Sequence, residues 1–575
     1  MRIVGINNEM RISSACLIED GRIVAAAAEE RFVRNKLTRA FPKDAIAYCL
    51  KERGIKMKDV DFIASSWNPG IYFTKFNPLL SGQRRHLVEQ MYSVPDNIMR
   101  FYDRPVVDYL YQEIVSGLQR VKLYYITHHR AHAANGFFLS PFNSAAILTA
   151  DGQGEFESTT FCTGRGNRIN FMKSINYPHS LGALYSTFTE YLGFQANSDE
   201  WKVMAMASYA GFRNKYYKMM KEQVIRFPAK GGFELNLGFF KGFLHDQPNL
   251  YTDKLVELFG PARAKGDALE DRHFEIASAL QKISEDALAC LLNQLHSQTG
   301  EKNLVLSGGS FLNSVFNGKV LDLTPFHNVF ISPCPDDSGN CFGAAFYIHN
   351  HILGGKRSEP MRHNYFGPSY TDKEIRQTLA DFKLPYIHDK DVIKRTAKYL
   401  KEGKIVGWFQ GRMEFGQRAL GNRSILADPR KAEMKDLINK AVKFRESFRP
   451  FAPAVLKERQ NEYFDIGRRG DVPFMEKVYA VRPGKRKEIP AVVHVDGSGR
   501  IQTVDAATNL KFHGLIKEFD KITGVPVILN TSFNLNNEPI VCSPRDAIRT
   551  FNSCGLDVLI LGDCVVTKEN GHGRK

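Results

Sequence analysis

The chain has 575 residues, 43% of them hydrophobic and 24% charged, which is too long for one core and ordinary for a globular protein of roughly two to four domains. Its 78 basic and 62 acidic residues leave a net charge of +16. That excess favours anionic partners, but the densest basic clusters (Arg84-Arg85, Arg468-Arg469 and Lys485-Arg486-Lys487) are too short for the concentrated patch that nucleic acid needs, so no nucleic-acid partner is expected. No apolar run reaches the ~18 residues of a membrane span, and the start MRIVGINNEM lacks the basic and apolar regions of a secretory leader. The nine cysteines are scattered without a CxxC pair, which fits a reduced, cytoplasmic compartment.

In chain order, Ile3–Ile6, Ser14–Ile18 and Arg22–Ala26 read as strands, with the tight turn Glu19-Asp20-Gly21 between the last two. A second set follows at Ala145–Ala150 and Ser158–Phe161, ending in the turn Gly164-Arg165-Gly166-Asn167. This duplication predicts an α/β protein with two related subdomains, as in the actin-like ATPase architecture. Ile276, Leu280, Ile283, Ala287, Leu291 and Leu295 recur at helical spacing over 274–298, and Thr299-Gly300 stops the pattern. A strand at Asn303–Leu306 and the turn Ser307-Gly308-Gly309 come next. That order suits an adenosine contact, and equally a close-packed strand–helix turn. Gly354–Pro360 is rich in breakers and reads as a linker. The expected organisation is a domain at 1–355, a linker region at 356–389, a second domain at 390–570 and a tail at 571–575.

The sharpest local motif is His128-His129-Arg130-Ala131-His132. His128 and His132 lie four apart, so on a helix they share a face and can bind one metal, although the same spacing fits a polar helix end. Asp151 ends an apolar strand before Gly152, and Asp337 lies in PCPDDSG ahead of a small-residue helix start; acids so placed can reach a ligand. Two histidines with carboxylates suit Fe(II), Mn(II) or Zn(II). A second motif is basic, GRMEFGQRALGNRS at 411–424, followed by Lys443-Phe444-Arg445 and FRPFAP at 448–453. Cations interspersed with Gly, Pro and apolar residues point to a preorganised anion pocket, for which Arg is well suited. NTSFN at 530–534 follows an apolar strand and offers hydroxyls and amides to the same ligand.

Taken in order, GIN (5–7), AAEERF (27–32), HHRAHAA (128–134), PHSLGALY (178–185), EWKVMAMASYAG (200–211), LSGGSFLN (306–313), EFGQRALGNRSILADPR (414–430), FRPFAP (448–453), RIQTV (500–504) and GVPVILNTSFN (524–534) resemble the O-carbamoyltransferase family of nodulation-factor, cephamycin and tobramycin enzymes. The resemblance implies an actin-like N-terminal domain and a YrdC-like C-terminal domain. It implies that carbamoyl phosphate and ATP, with Mg, become carbamoyl-AMP in the C-terminal domain, and that an acceptor hydroxyl on a sugar or secondary metabolite takes the carbamoyl group in the N-terminal domain. By carry-over, His128, His132, Asp151 and Asp337 are the metal ligands, with Fe(II) favoured, and Glu155, Gly308, Gly309 and Asn313 line a nucleotide cleft. His129 and Lys202 are the catalytic candidates. Arg418, Arg423, Ser424, Lys443, Arg445, Arg449, Arg500, Ser532 and Asn534 are expected to hold carbamoyl phosphate and ATP.

The chain departs from the family where a His-Asp pair commonly follows GIN, having Glu9-Met10-Arg11-Ile12 instead, and where Lys-His becomes Lys36-Leu37. Ala205 and Ala210 stand for glycines and Gln417 for a proline. Arg cannot serve as a base near neutral pH but can bind an anion bidentately, so Arg11 is the candidate contact for an anionic acceptor. Other expectations the residues leave open are a non-catalytic nucleotide-binding homologue and a tRNA threonylcarbamoyl-modifying enzyme.

Overall fold

A computed structural model describes residues 1–8, 12–68, 109–116, 119–244, 247–467 and 469–568. Arg11, Arg84, Arg85, Arg468 and the expected tail lie outside the described residues. The chain divides into two compact units, Met1–Val24 with Cys49–Met361 and Ala25–Tyr48 with Arg362–Lys575.

The first unit is built on two sheets that repeat one topology. Its strands in chain order are β1 (Arg2–Asn7), β2 (Ser14–Glu19), β3 (Arg22–Ala28), β4 (Phe62–Ser65), β5 (Tyr109–Ser116), β6 (Gln119–Ile126), β7 (Ser144–Ala150), β8 (Glu157–Arg165), β9 (Arg168–Asn176), a small pair β10 (Ile225–Arg226) and β11 (Glu234–Leu235), β12 (Asn303–Ser307) and β13 (Asn328–Ile331). The first sheet reads β3-β2-β1-β4-β6-β5 and the second β13-β12-β7-β8-β9, with β3 running out of the unit after Val24. In each sheet a first strand carries antiparallel hairpin strands on one side and parallel strands on the other. This duplicates the two hairpins read from the sequence. The long helix Asp271–Thr299 ends at Gly300 in a left-handed cap, as the pattern and its glycine stop predict.

The second sheet positions the chemistry. β7, β12 and β13 are parallel neighbours, with Thr149 opposite Ser307 and Leu306 opposite Ile331. Their carboxyl ends therefore lie side by side, and the loops leaving them carry Asp151, Gly308-Gly309 and Asp336-Asp337. The crevice beyond the carboxyl ends of parallel strands is where α/β sheets bind ligands. The helix Asn340–Phe346 then packs on the helix His128–Leu139 through Gly343, where an added Cβ would meet the Ala131 carbonyl oxygen at 1.8 Å.

The second unit contains β14 (Ile387–His388), β15 (Val406–Phe409), β16 (Arg423–Ala427), β17 (Ala452–Leu456), β18 (Val478–Ala480), β19 (Ser498–Arg500), β20 (Gln502–Val504), β21 (Val527–Ser532), β22 (Val558–Leu561) and β23 (Cys564–Thr567). Eight of these form one mixed sheet in the order β14-β23-β22-β15-β16-β21-β17-β20, and β18 pairs with β19. Trp408, Phe519 and Phe533 lie in its core. Residues 25–48 belong to this unit, although the sequence places them in the expected first domain. Arg31 donates to the Gly416 carbonyl (2.8 Å), and Arg34 to those of Ile540 (2.7 Å) and Pro539 (2.8 Å). The segment read as linker holds the helix Asp372–Asp381, started by a capping box in which Thr371 and Glu374 bond each other's backbone N–H groups. None of the nine cysteines forms a disulfide. Among the described residues, no helix is long and apolar enough to cross a membrane.

Candidate functional site

In the first unit the helix His128–Leu139 follows directly on β6, and no side chain of its N-cap Thr127 bonds its first turn. Glu155 does so instead. Its carboxylate accepts from the backbone N–H groups of His128 (2.9 and 3.0 Å) and Asn68 (2.7 Å) and is fully buried. Burial pushes its pKa up to about 7. The Glu155 expected at a nucleotide cleft is thus engaged in holding the start of the histidine helix.

One turn apart on that helix, His128 and His132 present their Nε2 atoms 3.0 Å from each other. Asp151 Oδ2 lies 3.0 Å from both, and Asp337 Oδ1 lies 3.4 and 3.5 Å from them. Asp151 is aimed by its other oxygen, Oδ1, which accepts from the N–H groups of Gly152 (2.8 Å) and Gly309 (3.1 Å). Gly309 allows that approach, since a Cβ there would stand 2.7 Å from Oδ1. Gly308 takes a positive φ of 109° with its N–H bonded to the Pro335 carbonyl (2.6 Å), pinning the diglycine to the loop that carries Asp337.

Burial alone would lower the His128 pKa, but the two carboxylates raise it to about 10. His132 is buried too and also depressed by His128, yet the same carboxylates carry its pKa upward. Burial works against Asp151 as an anion, and the paired imidazoles nevertheless hold it well below the usual carboxylate range. Two imidazole nitrogens and two carboxylate oxygens this close together can share one cation. Donors about 2.1 Å from one ion stand about 3.0–3.4 Å apart, which matches this set. The cluster His128, His132, Asp151 and Asp337 therefore fits a divalent metal.

Asn340 was not singled out from the sequence. Its Nδ2 lies 3.2 Å from His132 Nε2 and 3.4 Å from His128 Nδ1, three residues beyond Asp337. His129, one of the catalytic candidates, is buried beside His128 and His132. Its Nδ1 meets the Thr149 hydroxyl (2.7 Å), its Nε2 donates to the Glu157 carbonyl (3.0 Å), and burial beside His128 and His132 holds its pKa well down. Both nitrogens are committed to the sheet. Lys202 is buried and ion-paired with Asp199 (3.1 Å), its ammonium near the rings of Phe194 and Trp201. Asn313 caps the helix Ser314–Leu323 and exchanges amide hydrogen bonds with Gln281 (2.9 and 3.1 Å).

In the second unit the cations sort into two kinds. Arg423 is fully buried on β16, donating to the carbonyls of Gln410 (2.6 Å), Asn422 (3.0 Å), Gly411 (3.3 and 3.2 Å) and Pro368 (2.9 Å), with its guanidinium 3.6 Å from the Phe409 ring centroid. Ser424, its neighbour, accepts from the Gly421 N–H (3.0 Å). Both were expected to hold carbamoyl phosphate or ATP. In the structure both bond to the surrounding backbone, as does Glu414, whose Oε1 accepts from the N–H groups of Leu420 (2.7 Å) and Asn422 (2.8 Å).

The other cations face one another. Lys443 ends the π-helical turn Asn439–Lys443 and donates to the Ser532 carbonyl, the Asn534 carbonyl (2.9 Å) and Asn534 Oδ1 (2.8 Å). Ser532 Oγ in turn donates to Asn534 Oδ1 (2.7 Å). Burial, then Arg445 and Arg449, hold the Lys443 pKa well down, and Lys36 adds to this from residues 25–48. Burial and Arg449 do the same to Arg445, and burial with Arg418 and Arg445 to Arg500. Arg449 contacts Glu446 (3.2 Å). His494, whose pKa burial lowers to about 4 with Arg500 and Lys435 among its charged neighbours, completes the group. Lys435 and His494 carried no motif to mark them, and Lys36 was noted only for the departure at Leu37. Buried cations clustered in this way are suited to an anionic ligand.

Fold and sites together define a mixed α/β protein with a metal-type His/Asp cluster in one unit and a group of buried cations in the other. Residues 2–346 match the family described as carbamoyltransferase N-terminus, and residues 397–568 match carbamoyltransferase C-terminus. An uncharacterised protein of Synechocystis is 37% identical across 98% of this chain and 96% of its own length. Nodulation protein NolNO of Sinorhizobium fredii is 36% identical across 98% of this chain and 80% of its own. Among solved structures, HypF of T. kodakarensis aligns with 13% identity and a TM-score of 0.32, over 62% of this chain and 48% of that one. The chain belongs to the carbamoyltransferase family and is an enzyme of that class.

Proposed function

We propose that the enzyme forms carbamoyl-AMP from carbamoyl phosphate and ATP in its second unit and transfers the carbamoyl group to an acceptor hydroxyl in its first. The observation that carries this is the group Lys443, Arg445 and Arg500, each depressed by burial and by another cation. Phosphate oxygens relieve that repulsion, and an Arg-rich pocket binds them with charge-assisted hydrogen bonds. Arg418 beside Arg500 and Arg449 beside Arg445 add to this cationic group. Ser532 and Asn534 hold the Lys443 ammonium in place. Mg accompanies ATP as co-substrate. The YrdC-like reading of residues 390–570 rests on the sequence resemblance.

For transfer, His128, His132, Asp151 and Asp337 would hold the divalent metal, with Fe(II) favoured by the resemblance and Mn(II) or Zn(II) suited to the same donors. Such an ion, when bound, supplies Lewis acidity that polarises a carbonyl and stabilises a departing phosphate. The protein's part is to keep the donors fixed. Glu155 sets the helix start, Gly152 and Gly309 aim Asp151, and Asn340 lies beside both imidazoles. The duplicated strand order supports the actin-like reading of residues 1–355, and Gly308, Gly309 and Asn313 lie on loops suited to a nucleotide there. The acceptor is a sugar or secondary-metabolite hydroxyl, with an anionic group assigned to Arg11.

Carbamoyl-phosphate-dependent ATP–pyrophosphate exchange, measured beside overall transfer, tests the division of labour. Arg449→Ala is expected to lose exchange by about 10- to 100-fold, as the loss of a charged hydrogen bond predicts, whereas His132→Ala keeps exchange and loses transfer. Normal exchange in Arg449→Ala removes the pocket from the mechanism.

A further inference from the structure

Phe444 stands between Lys443 and Arg445 with φ 47° and ψ 53°, a left-handed conformation uncommon for a bulky side chain. It terminates the π-helical turn, donating its N–H to the Asn439 carbonyl, and irregular turns of this kind gather at functional sites. Asn536 fixes it further. Asn536 Nδ2 donates to the Phe444 carbonyl (3.5 Å), while its Oδ1 accepts from Arg449 (3.4 Å), so one side chain joins the strained residue to a cation of the pocket.

Burial of the ring is not what this strain secures. The Phe444 side chain is 56% exposed, although Lys443 and Arg449 on the same segment are buried. Nor does Arg445 use the ring, since its guanidinium lies over Phe451, 4.6 Å from that centroid. A hydrophobic ring held in solvent by a strained backbone, among cations that bind phosphates, has the arrangement a nucleotide requires. The phosphates take the charges and the flat base takes the ring face. We propose that Phe444 is the stacking platform for the nucleobase of ATP, a base subsite beside the anion pocket. This rests on the proposed adenylate-forming role of the second unit.

The test uses the full-length enzyme in carbamoyl-phosphate-dependent ATP–pyrophosphate exchange, with inorganic tripolyphosphate as a competing inhibitor that has phosphates but no base. Phe444→Ala is expected to raise the KM for ATP about ten-fold, the scale of one lost base stack. The KM for carbamoyl phosphate, kcat and inhibition by tripolyphosphate should stay at wild-type values, and Phe444→Trp should restore ATP affinity. Phe444→Leu, which keeps the bulk, serves if the alanine variant does not fold, and the same rise in KM is expected. An unchanged KM for ATP overturns the platform while leaving the adenylation reading intact. A parallel loss of tripolyphosphate inhibition also overturns it, because Phe444 would then be shaping the pocket. Absence of exchange in the wild type overturns the adenylation reading and the platform together.

Discussion

Gly343→Ala is the substitution that most directly probes how the histidine helix and the Asp337 segment are held. The new Cβ would lie 1.8 Å from the Ala131 carbonyl oxygen, against an ordinary contact of about 3.3 Å, a deficit of about 1.5 Å. The helix Asn340–Phe346 has no room to retreat. On its other side β1 packs through Gly5, where a Cβ would already stand 2.0 Å from the Cys341 carbonyl. His128 and His132 ride with Ala131, and Asp337 and Asn340 ride with Gly343, so relief opens the 3.4 and 3.5 Å spacings between the imidazoles and Asp337 toward about 5 Å. Metal sites tolerate about 0.2 Å. Divalent-metal affinity, measured against a competing chelator, is expected to fall about 100-fold or more. Overpacking of this degree costs about 3 kcal/mol, lowering Tm by about 4 °C for a unit of this size. Gly211→Ala, with nothing near the new Cβ, is the matched control. A Gly343→Ala enzyme that melts with the wild type and keeps its metal refutes the packing argument.

Arg423→Met and Arg500→Met should separate framework from ligand cations. The first leaves buried carbonyls without donors and is expected to cost more than about 3 kcal/mol in denaturant unfolding, while the second relieves repulsion from Arg418 and Arg445, keeping or raising stability as exchange collapses. Loss of stability in both variants, to the same extent, contradicts the sorting. His494 gives a pH signature. Its folded pKa of about 4 lies below the unfolded value near 6.5, so its contribution is full above about 6.5 and is lost as pH falls toward 4. Asp496, Arg500 and Lys435 are its charged neighbours, and His494→Gln is expected to flatten the stability slope over that window by on the order of 2–3 kcal/mol. An unchanged slope discards His494 as its source.

The convergence at residues 128–132, 151 and 337 was legible because two rules acted locally. Helical spacing put the histidines on one face, and strand-end acids beside glycine pointed to a crevice. What the sequence hid depended on burial and partners. Arg423 and Arg418 stand five apart in one Gly-rich run, yet only the three-dimensional arrangement surrounds Arg423 with carbonyls and brings Arg418 close to Arg500. Glu155 and His129 likewise sit in the right motif, but backbone N–H and carbonyl groups claim them. Asn340 was missed because a lone amide has no distinguishing pattern until its distance to two imidazoles is known. The capping box at Thr371–Glu374 was readable and would have argued for a helix inside the expected linker.

Residues 25–48 make the second unit discontinuous, since the polypeptide enters it, leaves at Cys49 and returns only at Arg362. A gene fragment beginning at the apparent linker therefore encodes a body without its own N-terminal piece. It would lack Arg31 and Arg34, which bond the Gly416, Pro539 and Ile540 carbonyls, and Lys36 of the cation group. Dissection of this enzyme, or grafting of its halves onto other partners, has to splice residues 25–48 onto the downstream segment, because the translated order of the chain and the borders of its folded bodies do not coincide.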